Sequence, residues 1–175
     1  MTAVPQLLDR NQEFAKNFND AELPILPKLR CVIVACVDAR VDPAHILDLP
    51  LGEAVVMRNN GGRVTDEIID EIAALAFMAA NLDGEIPGPF EVIIMEHTHC
   101  GAERFADPGF QAVAKAHLGI DVSKTAINDH RQCLTSDLEK LEAAKNIPDY
   151  VQVSSLLYDL KTGLVEQVSA PKAIR

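Results

Sequence analysis

Four short apolar runs rich in β-branched residues recur along this chain, and they restrict its fold more than any other feature. The first, RCVIVACV over residues 30–37, shows no polar alternation, so a strand of this composition is expected to hide both of its faces. Residues 54–58 (AVVMR) and 91–96 (EVIIME) repeat the pattern, and residues 150–157 (YVQVSSLL) follow as a fourth strand. Between the second and third runs, residues 65–80 carry Ile68, Ile69, Ile72, Leu75, Ala76 and Ala79 at helical spacing, with Thr65 as the cap and Asp66 and Glu67 set against the dipole. Ile127, Cys133, Leu134, Leu138 and Leu141 mark another helix, running to Lys145. Strands alternating with helices predict an α/β fold with a mostly parallel sheet.

The remaining punctuation fits that frame. Leu7, Leu8, Phe14 and Phe18 predict an amphipathic helix after Pro5, and Pro24 and Pro27 end it, so residues 1–27 read as a helical arm. Residues 83–89 carry turn chemistry, and residues 158–163 (YDLKTG) read as the turn of a closing hairpin. There is no internal repeat and no low-complexity stretch. A chain of 175 residues that is 48% hydrophobic is expected to form one domain over 1–175.

Charge and cysteine usage narrow the classes of function. The net charge of -10 repels polyanions, so no nucleic-acid partner is expected. The longest apolar run, residues 72–80, is about half of what a bilayer span requires, so no membrane partner is expected either. The opening MTAVPQ has no signal-like pattern, which predicts a cytoplasmic protein. Four irregularly spaced cysteines do not make a disulfide framework. Cys31 and Cys36 lie roughly 16 Å apart along one strand and on opposite faces, so they cannot bridge each other.

In an open parallel sheet, ligands bind beyond the carboxyl ends of the strands. The first strand ends in Cys36-Val-Asp38-Ala-Arg40, and the third in Glu96-His97-Thr-His99-Cys100-Gly101. Thiolate and imidazole are the preferred ligands of zinc, and a three-ligand set with one open position is of the catalytic type. Each motif alone is a weak signal; on neighbouring strand ends they reinforce each other.

The combination of CVDAR, RNNGG over residues 58–62 and HTHCG over residues 97–101 resembles the beta-class carbonic anhydrases. By that resemblance Cys36, His97 and Cys100 are the zinc ligands, Asp38 and Arg40 the catalytic pair, and Gly61, Gly62 and Gly101 parts of the substrate pocket. The resemblance also implies a four-stranded parallel core sheet flanked by helices and a homodimer in which the amino-terminal helix packs over a partner chain. The activity it implies is the reversible hydration of carbon dioxide to bicarbonate and a proton by a zinc-bound hydroxide. Relatives that hydrolyse carbonyl sulfide or carbon disulfide supply the alternative substrates, since these too are small, linear and electrophilic at carbon. The chain has no Trp, unlike relatives whose bicarbonate-controlled switch uses a tryptophan-containing pocket.

Other readings of the same residues stand beside this one. Cys36 or Cys100 could be the nucleophile of a metal-free thiol enzyme with His97 as base, or the ion could be a structural staple closed by Asp38 or His99. His99 could also replace His97 as a ligand if its segment stays extended. Cys31 and Cys133 read as packing residues, His45, His117 and His130, which show no partner pattern in the sequence, as surface or helix residues, and Asp42 and Asp48 as turn or capping groups.

Overall fold

The computed structural model describes residues 2–83 and 89–175. Among them, β1 (Cys31–Cys36), β2 (Val55–Asn59), β3 (Phe90–His97), β4 (Val151–Tyr158) and β5 (Val165–Ala173) form one sheet in the order β2-β1-β3-β4-β5. The first four strands are parallel, and β5 returns antiparallel along β4 after the expected turn. The parallel core of four strands therefore stands as expected, with the hairpin adding a fifth at the edge. The helices are α1 (Val4–Ala15), α2 (Pro43–Ile46), α3 (Asp66–Asp83), α4 (Pro108–Leu118) and α5 (His130–Ala143). The turn expected over 83–89 falls largely on residues outside the described ones. No helix among the described residues is long and apolar enough to cross a membrane.

Every residue of β1 is buried, as its unbroken apolar run requires. Val32 and Val34 face one side, where Ile68, Ile72 and Ala76 of α3 and Leu134, Leu138 and Leu141 of α5 close over them. Ile33 and Ala35 face the other side with Met95, under partly buried Leu47 and Leu49. The four cysteines are unbridged and buried, in keeping with a packing role for Cys31 and Cys133.

Local chemistry sets the helix ends. Thr65 Oγ1 accepts from Ile68 N at the start of α3, and Asp42, read as a capping group, accepts from Ala44 N at the start of α2. The apolar pattern alone overlooked α4, yet its signals are in the sequence. Asp107 caps it, Pro108 opens it, and Gly119, with φ 71°, ends it in the left-handed conformation. The second long helix starts later than its apolar pattern, because Asp129 takes the capping position and accepts from Gln132 N.

One buried ionic group ties α5 to the loop after β2. Asp137 is fully buried and accepts from Arg63 Nε at 2.6 Å, Arg63 Nη2 at 3.0 Å, Val64 N at 3.0 Å and Lys140 Nζ at 2.8 Å. Arg63 also donates to the Ala126 carbonyl. Removing one partner of such a pair strands the other's charge in the core. Asp137→Ala is therefore expected to cost about 3–5 kcal/mol in urea unfolding, and a loss below about 1 kcal/mol would contradict this account of the network.

Candidate metal centre

The chain passes from β1 to β2 on one side and then to β3 on the other, so consecutive crossovers diverge between β1 and β3. This is the switch point at which open α/β sheets place their ligands. Cys36 ends β1 and His97 ends β3, in neighbouring strands whose register pairs Ala35 with Met95. Beyond His97 the backbone turns sharply: His99 takes a φ of 55°, and Cys100 comes back beside Cys36.

Three ligand atoms converge there. Cys36, His97 and Cys100 are all buried, and their ligand atoms lie within 4.8 Å of one another. The two sulfurs are 3.7 Å apart. Two thiolates on a tetrahedral zinc, each at about 2.3 Å, would be roughly 3.8 Å apart, so the spacing fits that ion. His97 Nδ1 sits 3.0 Å from the Thr98 carbonyl oxygen, which can only accept, so Nδ1 carries the hydrogen. Nε2 is buried and has no hydrogen-bond partner. A donor set of two sulfurs and one unpartnered imidazole nitrogen suits zinc in both chemistry and spacing.

The surroundings favour negative charge on sulfur. The Cys36 thiol is held well below its ordinary pKa, first by the hydrogen bond with Cys100 and then by His97 and the backbone amides of Asp38 and Gly61. Cys100 is pushed up, chiefly by the Cys36 thiolate beside it and by burial. The pair therefore favours a thiolate at Cys36, and holding a cation through both sulfurs would require Cys100 to release its proton. Glu103 fixes the backbone here, its Oε1 accepting from Cys100 N at 3.0 Å.

Asp38 and Arg40 form a bidentate pair at the rim. Arg40 Nε is 2.9 Å from Asp38 Oδ1 and Nη2 is 2.6 Å from Oδ2, while the Arg40 amide also reaches Oδ1. The guanidinium holds the Asp38 carboxyl far below the usual carboxylate range. Asp38 Oδ2 lies 4.0 Å from His97 Nε2. Arg40 also donates to the His99 carbonyl, joining the two motifs.

Several residues do work that the motifs alone left unassigned. Arg58 donates to the carbonyls of Cys36 and Asp38 and to the Asp42 carboxylate, holding the loop after β1 in place. Asn59 bonds both the amide and the carbonyl of Arg63 and closes the glycine loop. His130 is not partnerless, as its sequence surroundings led us to expect; its Nδ1 is 2.8 Å from Glu96 Oε2. Glu103 stands three residues after Cys100, a capping-box spacing that a cysteine cap disguises.

His99 is exposed and outside the converging trio, because its left-handed backbone ends the extended segment that a ligand role would need. Gly62, with φ 64°, lies so close to β1 that an added Cβ would meet Cys36 N at 2.8 Å. Gly61, with φ 77°, would meet the Thr125 carbonyl oxygen at 2.7 Å. At Gly101 an added Cβ meets nothing within 4 Å, so neither space nor conformation demands a glycine there. Gly62→Ala is accordingly expected to cost about 1–3 kcal/mol and to displace the Cys36 backbone, measurable by thermal unfolding; an unchanged Tm would contradict the close approach.

Comparison with known proteins agrees with this geometry. The carbonic anhydrase family model matches residues 31–161. Beta-carbonic anhydrase 1 of Mycobacterium tuberculosis is 30% identical over 175 residues, covering 97% of this chain and 99% of that protein. Carbon disulfide hydrolase of Saccharolobus solfataricus is 34% identical over 128 residues, covering 71% of this chain and 57% of that protein. The crystal structure of the Streptococcus mutans carbonic anhydrase superposes with a TM-score of 0.81 at 30% identity, covering 97% of this chain and 99% of that one. With the family model matched over residues 31–161 and relatives of 30% identity matched over nearly their whole length, the chain belongs to the beta-carbonic anhydrase family of lyases.

Proposed function

We propose that this protein catalyses the reversible hydration of carbon dioxide to bicarbonate and a proton, with zinc held by Cys36, His97 and Cys100. The observation that carries this reading is the unpartnered, buried Nε2 of His97 beside two sulfurs at a zinc-compatible spacing. When bound, zinc supplies a Lewis acid that brings the pKa of water toward neutrality. The protein's own groups do the rest. Asp38, kept ionised by Arg40, can accept a hydrogen bond from the attacking water and turn its lone pair toward the substrate carbon. Because its affinity for protons is so low, Asp38 orients that water and does not store the released proton. Arg58 and the amides of Asp38 and Gly61 keep the Cys36 loop from moving as charge changes.

Two thiolates offset the charge of a dication, so such a site acidifies water less than three neutral imidazoles would. Hydration is therefore expected to rise with pH across the range from about 6 to 9, and a flat profile would count against the site as described. Asp38 contributes nothing to that rise, since its titration lies far below this range.

A second reading concerns substrate only: hydrolysis of carbon disulfide or carbonyl sulfide at the same residues. The similarity to a carbon disulfide hydrolase favours it, although this chain spans about half of that protein. Hydration of carbon dioxide and release of sulfide from both sulfur substrates, assayed on one preparation, separate the two. We expect hydration to dominate, and sulfide release without hydration would transfer the assignment. Asp38→Asn should keep its metal and lose about 100-fold or more in turnover, whereas full turnover would remove Asp38 from the mechanism.

We further infer that the chain works as one catalytic domain over 1–175, in the cytoplasm, as a homodimer. None of the residues of α1 is buried, and Val4, Leu7, Leu8 and Phe14 on it, with Phe18 just beyond, are exposed. An apolar face of this kind on the arm of residues 1–27 suits cover by a second copy.

A further inference from the structure

We propose that His130 is a positioning residue for the metal centre, tying Glu96 to Glu103 and so fixing both ends of the segment that carries His97 and Cys100. This inference rests on the zinc reading above. Glu96 directly precedes His97 at the end of β3 and is 1% exposed. Glu103 holds the Cys100 amide at 3.0 Å. His130 stands between them, with Nδ1 2.8 Å from Glu96 Oε2 and Nε2 3.4 Å from Glu103 Oε1. One imidazole thus spans the ligand segment from the residue before its first ligand to the carboxylate that pins its last.

The fixed point of this clamp lies in the core. His130 is the first residue of α5, whose cap Asp129 accepts from Gln132 N and whose Leu134, Leu138 and Leu141 are buried against the sheet. Behind Glu96, Arg63 Nε approaches Oε1 only to 3.8 Å, and that oxygen has no hydrogen bond, so His130 is the group that holds Glu96. A metal ligand keeps its geometry only as well as its supports do, and losing such supports typically weakens metal binding by about 10–100-fold. The converging trio supplies the ligands, while His130 sets how far apart the His97 and Cys100 ends can drift.

The test is zinc affinity, measured by chelator competition on folded wild type and on His130→Ala, His130→Asn and His130→Gln, with the cobalt-substituted spectra recorded alongside. His130→Ala should bind zinc about tenfold or more weakly and show an altered cobalt ligand field. Asn can still reach Glu96 and Gln can still reach Glu103, so each should recover part of the loss. In a Glu103→Gln background the effect of His130→Ala should shrink, because one arm of the clamp is already weakened. If His130→Ala does not fold, the Asn and Gln variants carry the comparison. Zinc affinities within about twofold of wild type for the folded variants, while wild type binds one zinc, would overturn the clamp. A wild-type protein that binds no zinc would instead overturn the function proposed above.

Discussion

A histidine nitrogen without a hydrogen-bond partner and two sulfurs 3.7 Å apart face one another inside this protein. Buried polar atoms are nearly always paired, so an unpartnered Nε2 in a fully enclosed imidazole is a local instability that the rest of the fold must tolerate. What tolerates it is the sheet. Cys36 and His97 end adjacent strands whose residues are almost entirely buried, and strand ends so placed cannot swing apart to find other partners. The same arrangement that is costly without a cation becomes a ready ligand set with one, since two sulfurs and a nitrogen match zinc's preferences.

Around this trio the charges are arranged in layers. Nearest the sulfurs are neutral dipoles, the amides of Asp38, Gly61 and Ala102, which stabilise thiolate without adding a competing ligand. At the rim, Asp38 is captured by Arg40 from both oxygens, leaving an anion that accepts hydrogen bonds and holds its place. Deeper, Glu96, Arg63, His130 and Asp137 join the ligand strand to α5. The geometry of the site is thus inherited from the elements around it.

The sequence disclosed the parts of this structure that rest on local pattern. Short apolar runs marked the four parallel strands, most clearly β1, which is buried throughout, and the two chemically dense strand ends pointed to Cys36, Asp38, Arg40, His97 and Cys100. The hairpin was legible through its turn, while α4 escaped notice even though Asp107, Pro108 and Gly119 bracket it; it buries only Ala114 and leaves Phe110, Val113 and Leu118 exposed. His99 was ambiguous for a physical reason: a ligand role depended on an extended backbone, and only the fold reveals the left-handed turn with φ 55°. His130 was invisible, since its partners lie 34 and 27 positions away in sequence and nothing local marks such a pairing. Long-range polar contacts of this kind have no sequence period, so their recognition has to wait for coordinates.

The account depends on one ion in one coordination shell, and X-ray absorption at the zinc edge of protein purified without chelators examines it directly. Sulfur at about 2.3 Å from two residues, nitrogen at about 2.0 Å from one, and one lighter exchangeable donor, at one zinc per chain, is the predicted result. A fully active protein with no zinc, or a shell in which Cys36→Ser removes no sulfur, would contradict it.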